Sequence, residues 1–167
     1  MILGLSRPAV LLLAALASAP CAAAGFTCTP EQCIERINQV VRRTQEDLVV
    51  AQQTCEAQGA AQRCIYRASA GPNIHVFFTT GLPNVQTILI ADVRGLSPAG
   101  NAYLDAIMEA FDTSLDAQAR KQFHAKLIDA SAGSLQNGGQ AQLSSAGFAY
   151  SLFTNERLTM IIVSGAQ

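Results

Sequence analysis

Apolar spacing divides the chain after residue 25 into a helical first part and a strand-rich remainder. Ile34, Ile37, Val41, Leu48 and Cys55 follow steps of three, four and seven, with Thr44 and Ala51 filling the gaps. These positions share one face of a 3.6-residue helix, so the spacing predicts a long helix from Pro30 to about Cys55. Its start is well marked. Thr29 can cap it, Pro30 loses nothing at the first helical position, and Gln32 can close a capping box. Glu31 adds a favourable charge in the first turn. On the polar face, Arg42–Glu46 and Arg43–Asp47 are i,i+4 pairs worth ~0.2–0.5 kcal/mol each. Gly59 interrupts the pattern, and Ala60–Arg67 is expected to form a short second helical segment.

Ser69-Ala70-Gly71-Pro72-Asn73 is a breaker cluster. After it, Ile74–Thr80 is rich in β-branched and aromatic residues and predicts a strand. Gly81-Leu82-Pro83-Asn84 reads as a turn, and Val85–Val93 as a second strand pairing with the first. Thr87–Ala91 is apolar on both strand faces, which predicts a central strand or one covered by the long helix. Arg94-Gly95-Leu96 ends this hairpin.

Ser97-Pro98 starts a helix with apolar positions at Tyr103, Ile107, Ala110 and Phe111. Asp112–Ser114 interrupts it, and Thr113 or Ser114 can cap a further helix to about Ala130. The expected buried face of that helix is Ala119, Phe123, Leu127 and Ala130. Ser131–Gly139 is a connection in which Gly138-Gly139 permits tight turns. Three strands follow, at Gln140–Leu143, Gly147–Phe153 and Leu158–Val163. Ser144–Ala146 joins the first two and Thr154–Arg157 the last two.

The fold class is therefore α+β. A long N-terminal disulfide-fastened helix precedes ββααβββ, with a single antiparallel sheet, five-stranded on this count, packed by helices. On element order, this resembles exported ligand-sensing domains related to PAS folds, and also the roadblock and longin type of domain. The first resemblance implies a small-ligand sensor.

Composition adds location. Arg7, the apolar run Ala9–Ala19 and Ala22-Ala23-Ala24 before Gly25 read as an export signal over residues 1–24. That leaves residues 25–167 as a single exported domain. The apolar run is shorter than the ~20 residues of a membrane span. Cys21 is expected to leave with the signal rather than carry a lipid. With 11 basic and 12 acidic residues, charge is low and balanced, and no basic patch points to nucleic acid.

Cys28, Cys33, Cys55 and Cys64 would then remain, an even set in an oxidising compartment, which favours two disulfides over zinc or redox chemistry. On a continuous helix rising about 1.5 Å per residue, Cys33 and Cys55 would lie roughly 30 Å apart. That excludes their bridging and favours the local pairs Cys28–Cys33 and Cys55–Cys64.

Candidate chemistry is sparse. His75 and His124 are the 2 histidines, and with Asp92 or Asp129 they would make a metal triad only if the fold joined them. Ser144, Ser145 and Ser164 lack the context of a nucleophile elbow. Asp105 and Glu109 form a mildly repulsive i,i+4 pair explained by exposure. The glycines form no phosphate loop. Phe77, Tyr103 and Tyr150 are a speculative pocket. No catalytic residue, metal or cofactor is expected.

The expected function is therefore an exported, non-catalytic protein-binding or accessory protein of the cell envelope, such as an inhibitor or immunity-type protector. Its expected partner is another envelope or secreted protein, and its location the periplasm or the medium. The alternatives are a small-ligand sensor-like domain and a small hydrolase or metal-dependent enzyme.

Overall fold

Seven strands form one antiparallel sheet in the order β1-β2-β3-β4-β7-β6-β5. In chain order they are β1 (Ala51–Gln58), β2 (Ala61–Arg67), β3 (Asn73–Thr79), β4 (Val85–Val93), β5 (Gln140–Ser145), β6 (Phe148–Thr154) and β7 (Leu158–Gly165). Among the described residues three α-helices accompany them, α1 (Pro30–Val41), α2 (Pro98–Phe111) and α3 (Ala117–Gly133), with a short 3-10 turn at Glu46–Leu48. This computed structural model describes residues 25–82, 84–93, 96–133, 140–155 and 157–165. Residues 1–24, read above as an export signal, therefore lie outside the described residues with Cys21, as do Pro83, Arg94, Gly95, Gly138 and Gly139.

The architecture is α+β, with one large antiparallel sheet packed by helices and an N-terminal helix fastened by Cys28–Cys33. Two meanders build the sheet. β1 to β4 run outward to inward, α2 and α3 cross over, and β5 to β7 return so that β7 pairs with β4.

The sheet has seven strands where five were expected, and the difference lies in residues 48–67. The helix α1 starts as expected. Gln32 N–H donates to Thr29 Oγ1 at 3.4 Å, and Thr29 N–H donates to Gln32 Oε1 at 3.1 Å. It ends at Val41 rather than near residue 55. The buried Asn38 explains why. Its amide donates to Val50 O at 3.0 Å and its Oδ1 accepts from Val50 N–H at 2.9 Å. That two-way bond holds the chain entering β1 extended against the helix. Leu48, at the end of the 3-10 turn, and Val50, leading into β1, are both buried.

Ala60–Arg67 is correspondingly not helical. Its greater part is β2, joined to β1 by Gly59-Ala60, with Gly59 at φ 63°. A positive φ at the first central residue is what a two-residue II′ turn needs, and glycine supplies it without strain. The pairs Arg42–Glu46 and Arg43–Asp47 lose their helix. Arg42 bonds Glu35 at 2.8 Å and Arg43 bonds Glu109 at 2.5 Å instead. The element order is now helix, four strands, two helices, three strands. The element order on which the likeness to sensor and longin-type domains rested is therefore not the observed one.

The later elements start close to where the sequence places them. Ser97 caps α2, its Oγ accepting from Gly100 N–H at 3.0 Å. The cap of α3 is Asp116, which accepts from Ala119 N–H at 2.8 Å, rather than Thr113 or Ser114. Ser114 is instead engaged by the buried Asp112 at 2.6 Å. On α3, Leu127 is buried as expected but Ala130 is exposed, and Ser131 is buried in its place. The β5–β6 turn is Ala146-Gly147, both at positive φ, so β5 extends to Ser145.

All three helices serve one face of the sheet. α1 packs on α2 and β3, α2 on β4, and α3 on β5 and β6. Alternate strand residues turned toward them are buried, including Tyr66, Ile74, Ile90, Ile161 and Leu152 in one cross-strand row. Phe26 closes the core near the N-terminus, stacking edge-on to Phe111 at 4.9 Å and lying 5.1 Å from Phe148.

Candidate functional site

The strand residues between those buried ones point to the opposite, outer face. Strand pairing arranges them in rows. Ile65, His75, Leu89, Ile162 and Ser151 form one row across β2, β3, β4, β7 and β6. Arg63, Phe77, Thr87, Ser164 and Ala149 form the next. Ala91, Met160 and Phe153 lie on the other side of the first row. Every one of these residues is part-exposed, and along the middle of the strands they alternate with buried neighbours. Among the described residues, no helix or strand covers this face. None of its large apolar side chains belongs to the buried core or packs against it.

The outer face is therefore a patch with an apolar centre of Phe77, Leu89, Ile162, Met160 and Phe153. Its margins are polar. Toward β1, Arg63 and Glu56 form an ion pair at 2.7 Å, and Arg67 donates to Asn73 at 3.0 Å. Toward β5 the rows end in Gln140, Gln142 and Ser144. An apolar centre with a polar rim is the anatomy of a protein interface. His75 sits within the patch, and burial, then the nearby Arg63 charge, hold its pKa below the usual histidine value. It therefore presents a neutral imidazole at neutral pH.

The four cysteines form the two local disulfides. Cys28 and Cys33 are bridged with Cα atoms 5.4 Å apart, and Cys55 and Cys64 with Cα atoms 4.1 Å apart. The second bridge crosses the β1–β2 ladder, where the two cysteines are directly opposed. It spans a hairpin rather than the end of a helix. Two disulfides suit a compartment outside the cytoplasm. No helix among the described residues is long and apolar enough to cross a membrane.

The speculative pocket residues are not brought together. Phe77 is on the outer face, whereas Tyr103 on α2 and Tyr150 on β6 are fully buried on the helix side. Each tyrosine has a structural bond. Tyr103 donates to Leu48 O at 2.5 Å, and Tyr150 donates to Asp112 at 3.2 Å. Burial, chiefly, pushes both phenol pKa values far above their usual range. A cleft of 530 Å³ does exist between the start of α1 and the β3–β4 turn, lined by Thr29, Glu31, Gln62, Phe78 and Leu82 among others. The three aromatic residues are not part of it.

The histidines are separated by the sheet. His124 is on α3 beside Phe123, whose ring lies 5.0 Å from inward-facing Tyr150, while His75 faces outward. Among the described residues no group of three or more His, Cys, Asp and Glu could hold a metal. Asp105 and Glu109 are not a repulsive exposed pair. Arg120, with its side chain 13% exposed, bonds Glu109 at 2.6 Å and Asp105 at 3.3 Å, and Arg43 reaches the same Glu109. This network ties α1, α2 and α3 together.

The apolar residues on both faces of β4 predicted a central strand or one covered by the long helix, and β4 is the central strand of the seven. The signal for an open face was present in Ile88–Ala91 and again in Met160–Val163. Two apolar faces need two covering layers, and the helices supply one. No family model, no curated protein and no solved structure matches this chain.

Proposed function

We propose that this chain is a non-catalytic protein-binding or accessory domain of the cell envelope, acting in the periplasm or after secretion. Its partner is another envelope or secreted protein, and the outer sheet face is the surface it uses. One observation carries this reading. The strand faces carrying Phe77, Leu89, Met160 and Ile162 lie outside the core with no described element over them. A contiguous apolar patch of this kind marks an interaction site more often than a resting surface. The helix side supports the reading indirectly, since Tyr103, Tyr150, Asp112 and Glu109 there are engaged in structural bonds.

The test uses the oxidised chain as bait in extracts of its native envelope, beside a Leu89→Glu variant of equal thermal stability. The expected result is a specific partner recovered by the wild-type chain and lost with the variant. Equal recovery by both chains, or recovery of no specific partner, overturns the reading.

A further inference from the structure

The sheet has two edges, and they are unlike. At one edge α3 packs against β5, and Ala141 of that strand is buried. At the other, all eight residues of β1 are exposed. Among the described residues nothing lies beyond its free edge, so a row of main-chain N–H and C=O groups is left for another strand. The usual guards are sparse. β1 has no proline and no lysine or arginine, and its single charge, Glu56, is held by Arg63 of β2. The one irregularity falls between Gln52 and Thr54, leaving Thr54–Gln58 in regular register.

The disulfide tells which groups face outward. Cys55 and Cys64 are directly opposed with Cα atoms 4.1 Å apart. That is the short spacing of a non-hydrogen-bonded antiparallel pair. The N–H and C=O of Cys55 therefore point away from β2 toward the free edge. Strand alternation sends those of Ala57 the same way. The bridge also ties this stretch covalently to β2, so little ordering is needed before a strand docks.

We propose that β1 pairs antiparallel with β1 of a second copy of this chain, about a two-fold axis through Cys55, joining two sheets into one. Charge restricts the register of such a pair. An axis through Glu56 would set the two glutamates against each other. An axis through Cys55 sets Thr54 opposite the partner's Glu56, twice, where the hydroxyl can donate to the carboxylate. It also lets the two Cys55 residues exchange both main-chain hydrogen bonds. The strand is thus self-complementary in a register that its outward groups allow, and a two-fold closes the association. The pairing groups lie in the plane of the sheet at the patch's polar margin, away from Leu89 and Met160, so the two proposals stand or fall apart.

Sedimentation of the oxidised chain over a range of concentrations tests this. The wild-type chain is expected to show a reversible dimer. Thr54→Glu places like charges opposite Glu56 at two symmetric points and is expected to weaken dimerisation roughly tenfold or more. Thr54→Lys places an opposite charge there and is expected to keep or tighten the dimer. Thr54 is exposed, so both variants should melt like the wild-type chain. Leu89→Glu should leave the dimer intact. A wild-type chain that stays monomeric throughout leaves the edge to a foreign strand and overturns the inference, as does equal dimerisation by Thr54→Glu and Thr54→Lys.

Discussion

His75 and His124 are both held below the ordinary histidine pKa of 6.5, in each case first by burial. Arg63 adds to the effect at His75, while Asp105 opposes it at His124. The unfolded chain therefore takes up protons more readily than the fold. On the linkage relation, the stability that depends on neutral imidazoles is fully present above about pH 6.5 and is lost as pH falls through the lowered folded values. The melting temperature should drop between about pH 7 and about pH 5, and a His75→Gln/His124→Gln variant should lose part of that drop. A variant whose pH profile parallels the wild-type profile would show that carboxylates carry it instead. Single residues were legible where their partners are local. Thr29 with Gln32, and Ser97 with Pro98, act within one turn. Asn38 was not legible, because an asparagine in a helical pattern acquires its role only when Val50 comes back to meet it.

At the scale of elements, the two disulfides differ in setting. Cys28 and Cys33 are both buried, fastening the start of α1 near the Phe26 cluster. Cys55 is exposed on β1, and its bridge closes a hairpin already held by its ladder. Chain entropy alone assigns both short loops similar values, about 2–3 kcal/mol. Packing separates them. Cys28→Ala/Cys33→Ala also opens space in the core and should cost more than Cys55→Ala/Cys64→Ala in urea denaturation. A larger loss for the hairpin pair would contradict this ordering. Both pairings were expected, but the second from the wrong element. A straight helix and a tight hairpin both favour the local pair Cys55–Cys64. The hairpin had its own signal, with Gly59 placed between two cysteines nine residues apart. The regular apolar steps through Leu48 and Cys55 outweighed it. Those steps were coincidental, since Leu48 is buried beneath the bond from Tyr103 and Cys55 is exposed.

For the whole molecule, the asymmetry of the sheet is the feature with consequences. Leu89 and Ile90 are neighbours of similar size on β4, yet Ile90 is wholly buried against the helices while Leu89 faces outward. Ile90→Gln buries an amide without a partner and should cost about 3 kcal/mol or more. Leu89→Gln should cost under about 1 kcal/mol, because its amide can reach water. Chemical denaturation of the two variants checks the difference, and comparable losses would mean that something covers the outer face. The sequence by itself determined the α+β class, the capped starts of α1 and α2 and the strands from Asn73 onward, and it favoured the local cysteine pairs. Those follow from hydrophobic period, turn chemistry and short-range geometry. Only the tertiary structure decided where α1 stops, that residues 51–67 form a β-hairpin, and which apolar face receives the helices. Period alone states that a strand is apolar on both sides. The number of layers available to cover those sides depends on how the elements pack across the chain.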